Sequence, residues 1–130
     1  MTDRDARYHA HIYFTADKRP AAAALREAFL RDKAGPEPRI LFVGPMRDGP
    51  VDPHPMPQFE IHCAERSRAA IIAMIEATGL TALVHPLTDD DLADHTTLAH
   101  WIGEPLDLDL SVLDPPGVNQ GGPRFGKADF

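Results

Sequence analysis

The chain has 130 residues, of which 43% are hydrophobic, and a formal net charge of −7. This length predicts one domain with its own core, and the negative charge argues against a general binder of nucleic acid or of acidic membranes. The single cysteine, Cys63, excludes a disulfide within the monomer, and the lack of a signal peptide or of a membrane-spanning segment makes the cytoplasm the expected location.

The first predicted strand covers residues 7–14, where successive side chains alternate between two faces. One face carries His9, His11 and Tyr13, and the other face is apolar. Asp17 is expected to cap the helix that follows, which has a proline in its first turn. Apolar residues then recur at helical spacing until a Gly-Pro pair ends the helix.

A short apolar strand leads into a proline-rich loop at residues 44–57, where the prolines exclude helix. A loop of this length in a small domain is often functional, and it holds His54 between two prolines. The next strand, residues 58–63, alternates again and directs Glu60 and His62 to one face.

A second amphipathic helix precedes a fourth strand at residues 80–85, which ends in His85. The order βαββαβ predicts an α+β, ferredoxin-like sandwich with an antiparallel sheet in the order 4-1-3-2 and both helices on one face. The end of strand four then meets the start of strand one, so His85 should fall near His9. His11 is one pleat further along, roughly 7 Å from His9, on the face without helices.

The sequence pattern in the last third of the chain predicts a short C-terminal helix followed by an extension. An acidic run resembles the capping box of a helix over residues 92–100, which carries His95. Residues 108–113 are interpreted as an edge strand or an arm. We therefore divide the chain into a domain at residues 1–113 and a Pro/Gly-rich tail at residues 114–130, which is expected to be poorly ordered or to wrap a partner subunit.

The histidine spacing indicates a metal site. His9 and His11 share one strand face and His85 joins them from a neighbouring strand, and three imidazoles leave coordination positions open for water, oxygen or substrate. Two histidines with a carboxylate are an alternative, for which Glu60 is the best-placed acid. One of the three histidines could instead act as a base, or the set could pack against a partner or lie in solvent.

These motifs resemble the DOPA 4,5-dioxygenase family in its small single-domain form from fungi and bacteria. The resemblance covers about residues 6–113 and rests on the order and spacing of five short motifs: Tyr8-His9-Ala10-His11-Ile12-Tyr13-Phe14, Pro53-His54-Pro55, Val84-His85-Pro86-Leu87-Thr88, Asp94-His95, and Trp101-Ile102-Gly103 with Leu106-Asp107-Leu108. It implies a ferredoxin-like homodimer that uses iron(II) and O2 for extradiol cleavage of a catechol such as L-DOPA, giving a seco-DOPA-type aldehyde. Zinc can displace iron in a purified protein.

Extradiol chemistry needs few protein ligands on iron(II), a base that takes a catechol proton, and a hydrogen-bond donor. The three strand histidines are the expected ligands, and His54 on the rigid loop is the expected acid or base. His95 would orient a substrate carboxylate or a ligand, or would only pair with Asp91 on the helix surface. Tyr13 would form a hydrogen bond to the catechol or simply fill space, and Trp101 is expected in the core rather than in a pocket.

Two other functions remain open from the sequence. A non-catalytic ferredoxin-like module could dimerise through an exposed apolar sheet face, and a histidine-lined cavity would count against it. A zinc hydrolase or an isomerase could use the same scaffold, and metal identity would separate it from an oxygenase because zinc is redox-inert. His62 and His100 are interpreted as structural or exposed.

Overall fold

The computed structural model describes residues 4–50 and 53–119. The strands are β1 (Arg7–Tyr13), β2 (Ile40–Val43), β3 (Gln58–Ala64), β4 (Ala82–Pro86) and β5 (His100–Ile102), and the α-helices are α1 (Arg19–Ala34), α2 (Glu65–Glu76) and α3 (Asp91–His95). Two short 3-10 helices cover Ala16–Lys18 and Leu110–Val112.

The five strands form one antiparallel sheet in the order β2-β3-β1-β4-β5. Strand β1 is central, with β3 on one side and β4 on the other. His9 therefore lies opposite His62 on β3 and opposite His85 on β4, while His11 lies opposite Glu60. The architecture is α+β and is consistent with a ferredoxin-like fold, as the sequence predicted.

The apolar face of the sheet packs against the two long helices. Its core contains Ala10, Ile12, Phe59, Ile61, Ala82 and Val84 from the strands, with Phe29, Ile71 and Ile75 from the helices. Phe29 is fully buried, and its ring lies 6.4 Å from that of Phe59. Truncating such a side chain to alanine typically costs about 3–5 kcal/mol, so this layer fixes the strand register on which the opposite face depends.

The opposite face of the sheet is polar and is nevertheless buried, because loops, ring side chains and the short helix α3 cover it instead of the two long helices. Phe42 lies 4.6 Å from the ring of His62, and Trp101 lies 6.0 Å from the ring of Tyr13. The loop after β2 adds His54, whose ring is 4.0 Å from that of His11. A buried polar face is costly unless its groups find partners, which makes this face the place to look for chemistry.

The predicted cap of the first helix was wrong. Asp17 lies within the 3-10 turn that precedes α1, where its carboxylate accepts a hydrogen bond from the Thr15 hydroxyl at 2.5 Å. The helix begins two residues later at Arg19, and Lys18 occupies the cap without a side-chain hydrogen bond. Pro20 does lie in the first turn, and the helix ends at Ala34 before Gly35, as expected.

The C-terminal region also differs from the prediction. The third helix ends at His95 instead of residue 100, because Thr96 leaves helical geometry at φ −126° and ψ −87°. His100 instead starts β5, an unpredicted fifth strand in which Trp101 lies opposite Leu83 of β4. The expected edge strand or arm at residues 108–113 contains a 3-10 turn.

The described part of the tail packs against its own chain. The Val118 carbonyl accepts a hydrogen bond from the Asp91 N–H at 3.1 Å, and the Asn119 amide donates to the Thr88 carbonyl at 3.0 Å. The remainder of the predicted tail, residues 120–130, lies outside the described residues. Among the helices that are described, none has both the length and the apolar character needed to cross a membrane.

Candidate metal centre and substrate pocket

The polar face gathers chemically active side chains in the middle of the sheet. Its members, each at most 1% exposed, are His9, His11, Tyr13, Gln58, Glu60, His62, Leu83 and His85. They share one face because residues directly opposite one another in an antiparallel sheet point the same way. The strand alternation in the sequence predicted this face for the three strand histidines.

His11 and His85 face each other through their Nε2 atoms, which are 3.1 Å apart. The Nδ1 of His85 lies 2.9 Å from the Pro86 carbonyl oxygen, which can only accept, so Nδ1 carries the proton and Nε2 is bare. The Nδ1 of His11 lies 3.2 Å from Oε1 of Gln58, and donation to that oxygen leaves Nε2 of His11 bare as well. Two facing lone pairs repel, and a cation between them would relieve the repulsion.

Gln58 therefore controls which nitrogen of His11 carries the proton. Its Oε1 accepts from Nδ1, whereas its Nε2 is buried and has no hydrogen-bond partner among the described residues. With the amide rotated, Nε2 would donate to Nδ1 and Nε2 of His11 would carry the proton instead. With Oε1 toward Nδ1, His11 presents a lone pair at Nε2 and can coordinate a cation, which is how acceptors beyond the ligand act in metal sites. Sequence reasoning missed this role, although the alternation had put Gln58 on the correct face.

His9 completes a three-histidine group. One nitrogen each from His9, His11 and His85 lie within 4.8 Å of one another, and all three side chains are fully buried. Burial, followed by the neighbouring histidines, lowers the pKa of His11 and that of His85 well below the ordinary value. Neutral imidazole is the form that binds metals, so the donor chemistry of this group fits a divalent transition metal.

A second group shares His9 and contains a carboxylate. Oε2 of Glu60 lies 3.2 Å from Nε2 of His62 and 3.6 Å from Nδ1 of His9, and the rings of the two histidines stack with centroids 3.7 Å apart. These three residues also bring ligand atoms within 4.8 Å of one another. The carboxylate expected as an alternative ligand thus lies with His62, to which the sequence gave no role, and not with the His11–His85 pair.

His54 and Tyr13 form a hydrogen-bonded pair beside the histidine group. The Tyr13 hydroxyl lies 2.6 Å from Nδ1 of His54. Burial lowers the pKa of His54 to about 3 and raises that of Tyr13, so both groups are neutral near pH 7. Because a phenol can donate or accept, the pair permits either tautomer of His54: one leaves Nε2 as a donor, the other as a base.

His95 lies on α3 with a fixed orientation. Its Nδ1 donates to the Asp91 carbonyl at 2.8 Å, which leaves Nε2 bare, and its ring is 4.3 Å from that of His85. The Asp90 carboxylate caps this helix by accepting from the Ala93 N–H at 2.9 Å. The capped turn therefore holds His95 over the histidine group, while Asp91 also comes within 3.5 Å of it as the sequence suggested.

A pocket of about 210 Å³ opens beside His95. Its lining consists of His95, Thr96, Trp101, Leu106, Asp107, Leu108 and Leu110. Trp101 thus lines a pocket and is only partly buried, which corrects the expectation that it belongs to the core. His100 is exposed, and Cys63 is buried on the helix side of the sheet, so neither belongs to the candidate site.

Known proteins resemble the chain over most of its length. It is 32% identical over 111 residues to a DOPA 4,5-dioxygenase from Amanita muscaria. The matched region covers 82% of this chain and 49% of that protein. It is 35% identical over 117 residues to an uncharacterized 21.2 kDa protein from Botryotinia fuckeliana, covering 82% of this chain and 62% of that protein. The chain therefore spans only about half to three-fifths of the length of these two relatives.

A solved structure agrees with the fold. The crystal structure of a proposed dioxygenase from Nostoc punctiforme PCC 73102 superimposes with a TM-score of 0.71 at 29% sequence identity, covering 85% of this chain and 95% of that one. The sequence model of the Dopa 4,5-dioxygenase family matches residues 8–112. The resemblance predicted from the sequence motifs is thereby confirmed, and the chain belongs to the Dopa 4,5-dioxygenase family.

Proposed function

We propose that the protein is a metal-dependent extradiol dioxygenase that cleaves the ring of a catechol such as L-DOPA, by 4,5-cleavage to a seco-DOPA-type aldehyde. The observation that carries this proposal is the pair of Nε2 atoms of His11 and His85, which lie 3.1 Å apart and next to His9, and which the acceptors at their Nδ1 atoms leave as lone pairs. The hydrogen-bonded pair of His54 and Tyr13 lies beside His11, and the pocket at His95 lies beside His85. Family membership supports the class of reaction.

The three strand histidines would hold the metal. Three neutral ligands leave positions open for a catecholate and for O2, and iron(II) would supply the redox chemistry that oxygen activation needs. His9, His11 and His85 suit this task because their backbone positions are fixed by the central strands. Zinc could occupy the same donors in purified protein, so its presence alone would not argue against iron as the working metal.

Two further histidines would handle the protons of the substrate. His95 lines the pocket, and its Nε2, which the contact of Nδ1 with the Asp91 carbonyl leaves bare, would accept a proton from a catechol hydroxyl. His54, adjusted by its hydrogen bond to Tyr13, can donate from Nε2 in one tautomer and accept in the other. The tyrosine would therefore act by setting the tautomer of His54, and the half-buried Trp101 would form an apolar wall for the ring.

The test is to load metal-free protein with iron(II) without air, and then to add L-DOPA and air. A coloured product that depends on both iron and O2 is the expected result. His85→Ala should lose metal, and His54→Ala should keep metal and lose turnover. His100→Ala is the matched control because His100 is an exposed histidine outside the group, and it should behave as wild type.

Lack of product from L-DOPA and from a panel of other catechols, with iron bound, would contradict the proposed reaction. Full turnover in His54→Ala would remove His54 from proton transfer. A homodimer and a cytoplasmic location stay predictions from the sequence, as does the division at residue 113.

A metalloenzyme of different chemistry is the second candidate. The group of His9, Glu60 and His62 favours it, since two histidines with a carboxylate are also a common donor set of zinc hydrolases. If the protein retained zinc after exposure to iron(II), and lost it in Glu60→Gln, this candidate would replace the dioxygenase. A non-catalytic binding module is disfavoured because the face that it would use for dimerisation is already covered.

A further inference from the structure

The substrate pocket has a distinct electrostatic character. Among the described residues that line it, none is lysine or arginine, and the one carboxylate is that of Asp107. The remaining walls are leucine side chains, the Trp101 ring and Thr96, whose hydroxyl already donates to the Leu92 carbonyl at 2.7 Å. A ligand whose only charge is a carboxylate would therefore find no positive partner among these residues, whereas the ammonium group of an amino acid such as L-DOPA could pair with Asp107.

The size and composition of the pocket indicate a ligand of one aromatic ring. Its volume of about 210 Å³ lies below the ~300–1,000 Å³ of pockets for drug-sized ligands. Trp101 offers a flat apolar surface, and its ring is stacked on Tyr13 at an interplanar angle of 20°. His95 stands at the end of the pocket that leads to the histidine group. A ring with its hydroxyls toward His95 would have its substituent among residues 106–110.

The wall that contains Asp107 is held in place. The backbone N–H of Asp109 donates to the Pro53 carbonyl at 3.0 Å, which joins this wall to the loop that carries His54. The Asp109 carboxylate accepts from the Ser111 N–H at 3.1 Å and caps the following 3-10 turn. Asp107 is exposed and comes from a segment that these two contacts anchor just after it in the chain.

We propose that Asp107 recognises a cationic ring substituent, so that the pocket selects catechols whose side chain bears an ammonium group over catechols whose side chain has a carboxylate as its only charged group. This inference rests on the proposed function, since it assumes that a catechol occupies the pocket. It also fits the net charge of −7, which draws cations toward the protein and repels anions.

The experiment compares ligands that differ in charge but little in shape: dopamine as the cation, 4-propylcatechol as the neutral analogue, and 3,4-dihydroxyphenylacetate as the anion. Trp101 is the only tryptophan in the chain and lines the pocket, so quenching of its fluorescence reports binding without turnover. The zinc-loaded protein under argon keeps the catechols intact. We expect affinity to fall in the order cation, neutral, anion.

Variants then assign the preference to one side chain. Asp107→Asn should weaken dopamine binding about two- to fivefold, the range of a solvent-accessible ion pair, and leave 4-propylcatechol unchanged. Asp107→Lys should reverse the order and favour the anion. Glu104→Gln is the matched control, because Glu104 is an exposed neighbour that does not line the pocket. It should preserve the wild-type order.

The outcomes separate this inference from the proposed function. Binding of all three catechols with equal affinity, or the same order in Asp107→Lys as in wild type, would overturn the role of Asp107. Cleavage of a catechol by the iron-loaded enzyme would leave the dioxygenase proposal standing in that case. Lack of both binding and cleavage for every catechol would overturn both.

Discussion

Acid should destabilise the metal-free protein much more steeply than an ordinary domain of this size. Burial lowers the pKa of His54 to about 3 and lowers that of His11 and His85 well below the ordinary 6.5. The unfolded chain therefore takes up protons below pH 6.5 that the folded chain excludes. Stability is fully present above that pH and is lost as the pH falls through and below it.

The size of the effect follows from the number of excluded protons. We count one at His54 and one for the pair of His11 and His85, because their Nε2 atoms at 3.1 Å can share a single proton. Each excluded proton weakens the fold by about 1.4 kcal/mol per pH unit. Because the unfolded chain takes up these protons mainly below pH 6.5, only about one unit of the interval from about pH 7.5 to about pH 5.5 counts, and two protons then give about 3 kcal/mol. This is a large part of the ~5–15 kcal/mol that holds a typical domain together.

The assay is denaturant unfolding of chelator-treated protein at the two pH values, followed by circular dichroism. His54→Gln keeps a hydrogen-bonding group for Tyr13 and removes one titrating site, so its pH-dependent loss should be about half that of wild type. His100→Gln, which removes an exposed histidine, should leave the loss unchanged. An unfolding free energy that is equal at both pH values in the wild type would refute the reasoning.

Three further predictions concern single side chains. Gln58→Leu should weaken metal binding about 10- to 100-fold while Gln58→Glu retains it, because only the latter can accept from Nδ1 of His11; competition with a metal-sensitive dye checks both. His62→Phe should keep its metal by elemental analysis, and loss of metal would move the site to the group with Glu60. Burial raises the pKa of the Cys63 thiol to about 12, so a thiol reagent should label it only after denaturation, and rapid labelling of native protein would contradict this.

The fold was largely predictable because its strands and long helices carry clear periodic signals. The alternation in β1 and β3 separates an apolar from a polar face, and the period of two is enough to assign His9, His11 and Glu60 to the polar one. The first residue of a helix was not predictable where several neighbouring residues could cap it or form a turn before it. Asp17 has the chemistry of a helix cap, but it lies inside the 3-10 turn at Ala16–Lys18, two residues before α1 begins.

The C-terminal region was harder to predict because contacts between distant residues decide its structure. Residues 96–100 continue an amphipathic pattern, but pairing of His100–Ile102 with β4 converts the end of that run into a strand. The same strand pairing places Trp101 at the pocket. Sequence spacing contains no information on whether an aromatic residue in a three-residue strand faces the core or a cavity, since that depends on which edge the strand joins.

The position of His9, His11 and His85 on one face of the sheet was predictable, and the contacts that set their tautomers were not. Strand spacing identifies residues that share a face, but the tautomer of His11 depends on Gln58, 47 positions away in sequence, and that of His85 on the carbonyl of the next residue. These contacts decide whether the two Nε2 atoms are lone pairs or donors. Spacing in the sequence is therefore enough to suggest candidate ligands. The polar residues that contact those ligands are found only from distances in the structure.

The two faces of the sheet divide stability and chemistry between them. The apolar face follows the ordinary rules of core packing, while the polar face buries five histidines around the central strands, His9, His11, His54, His62 and His85, each at most 2% exposed. Replacing buried polar groups by apolar ones of similar shape is often neutral or stabilising, so stability alone gives no reason for this arrangement. Departures from local folding rules concentrate at functional sites. A cation would satisfy the facing Nε2 atoms, so the polar face has the donors that could hold a metal ion.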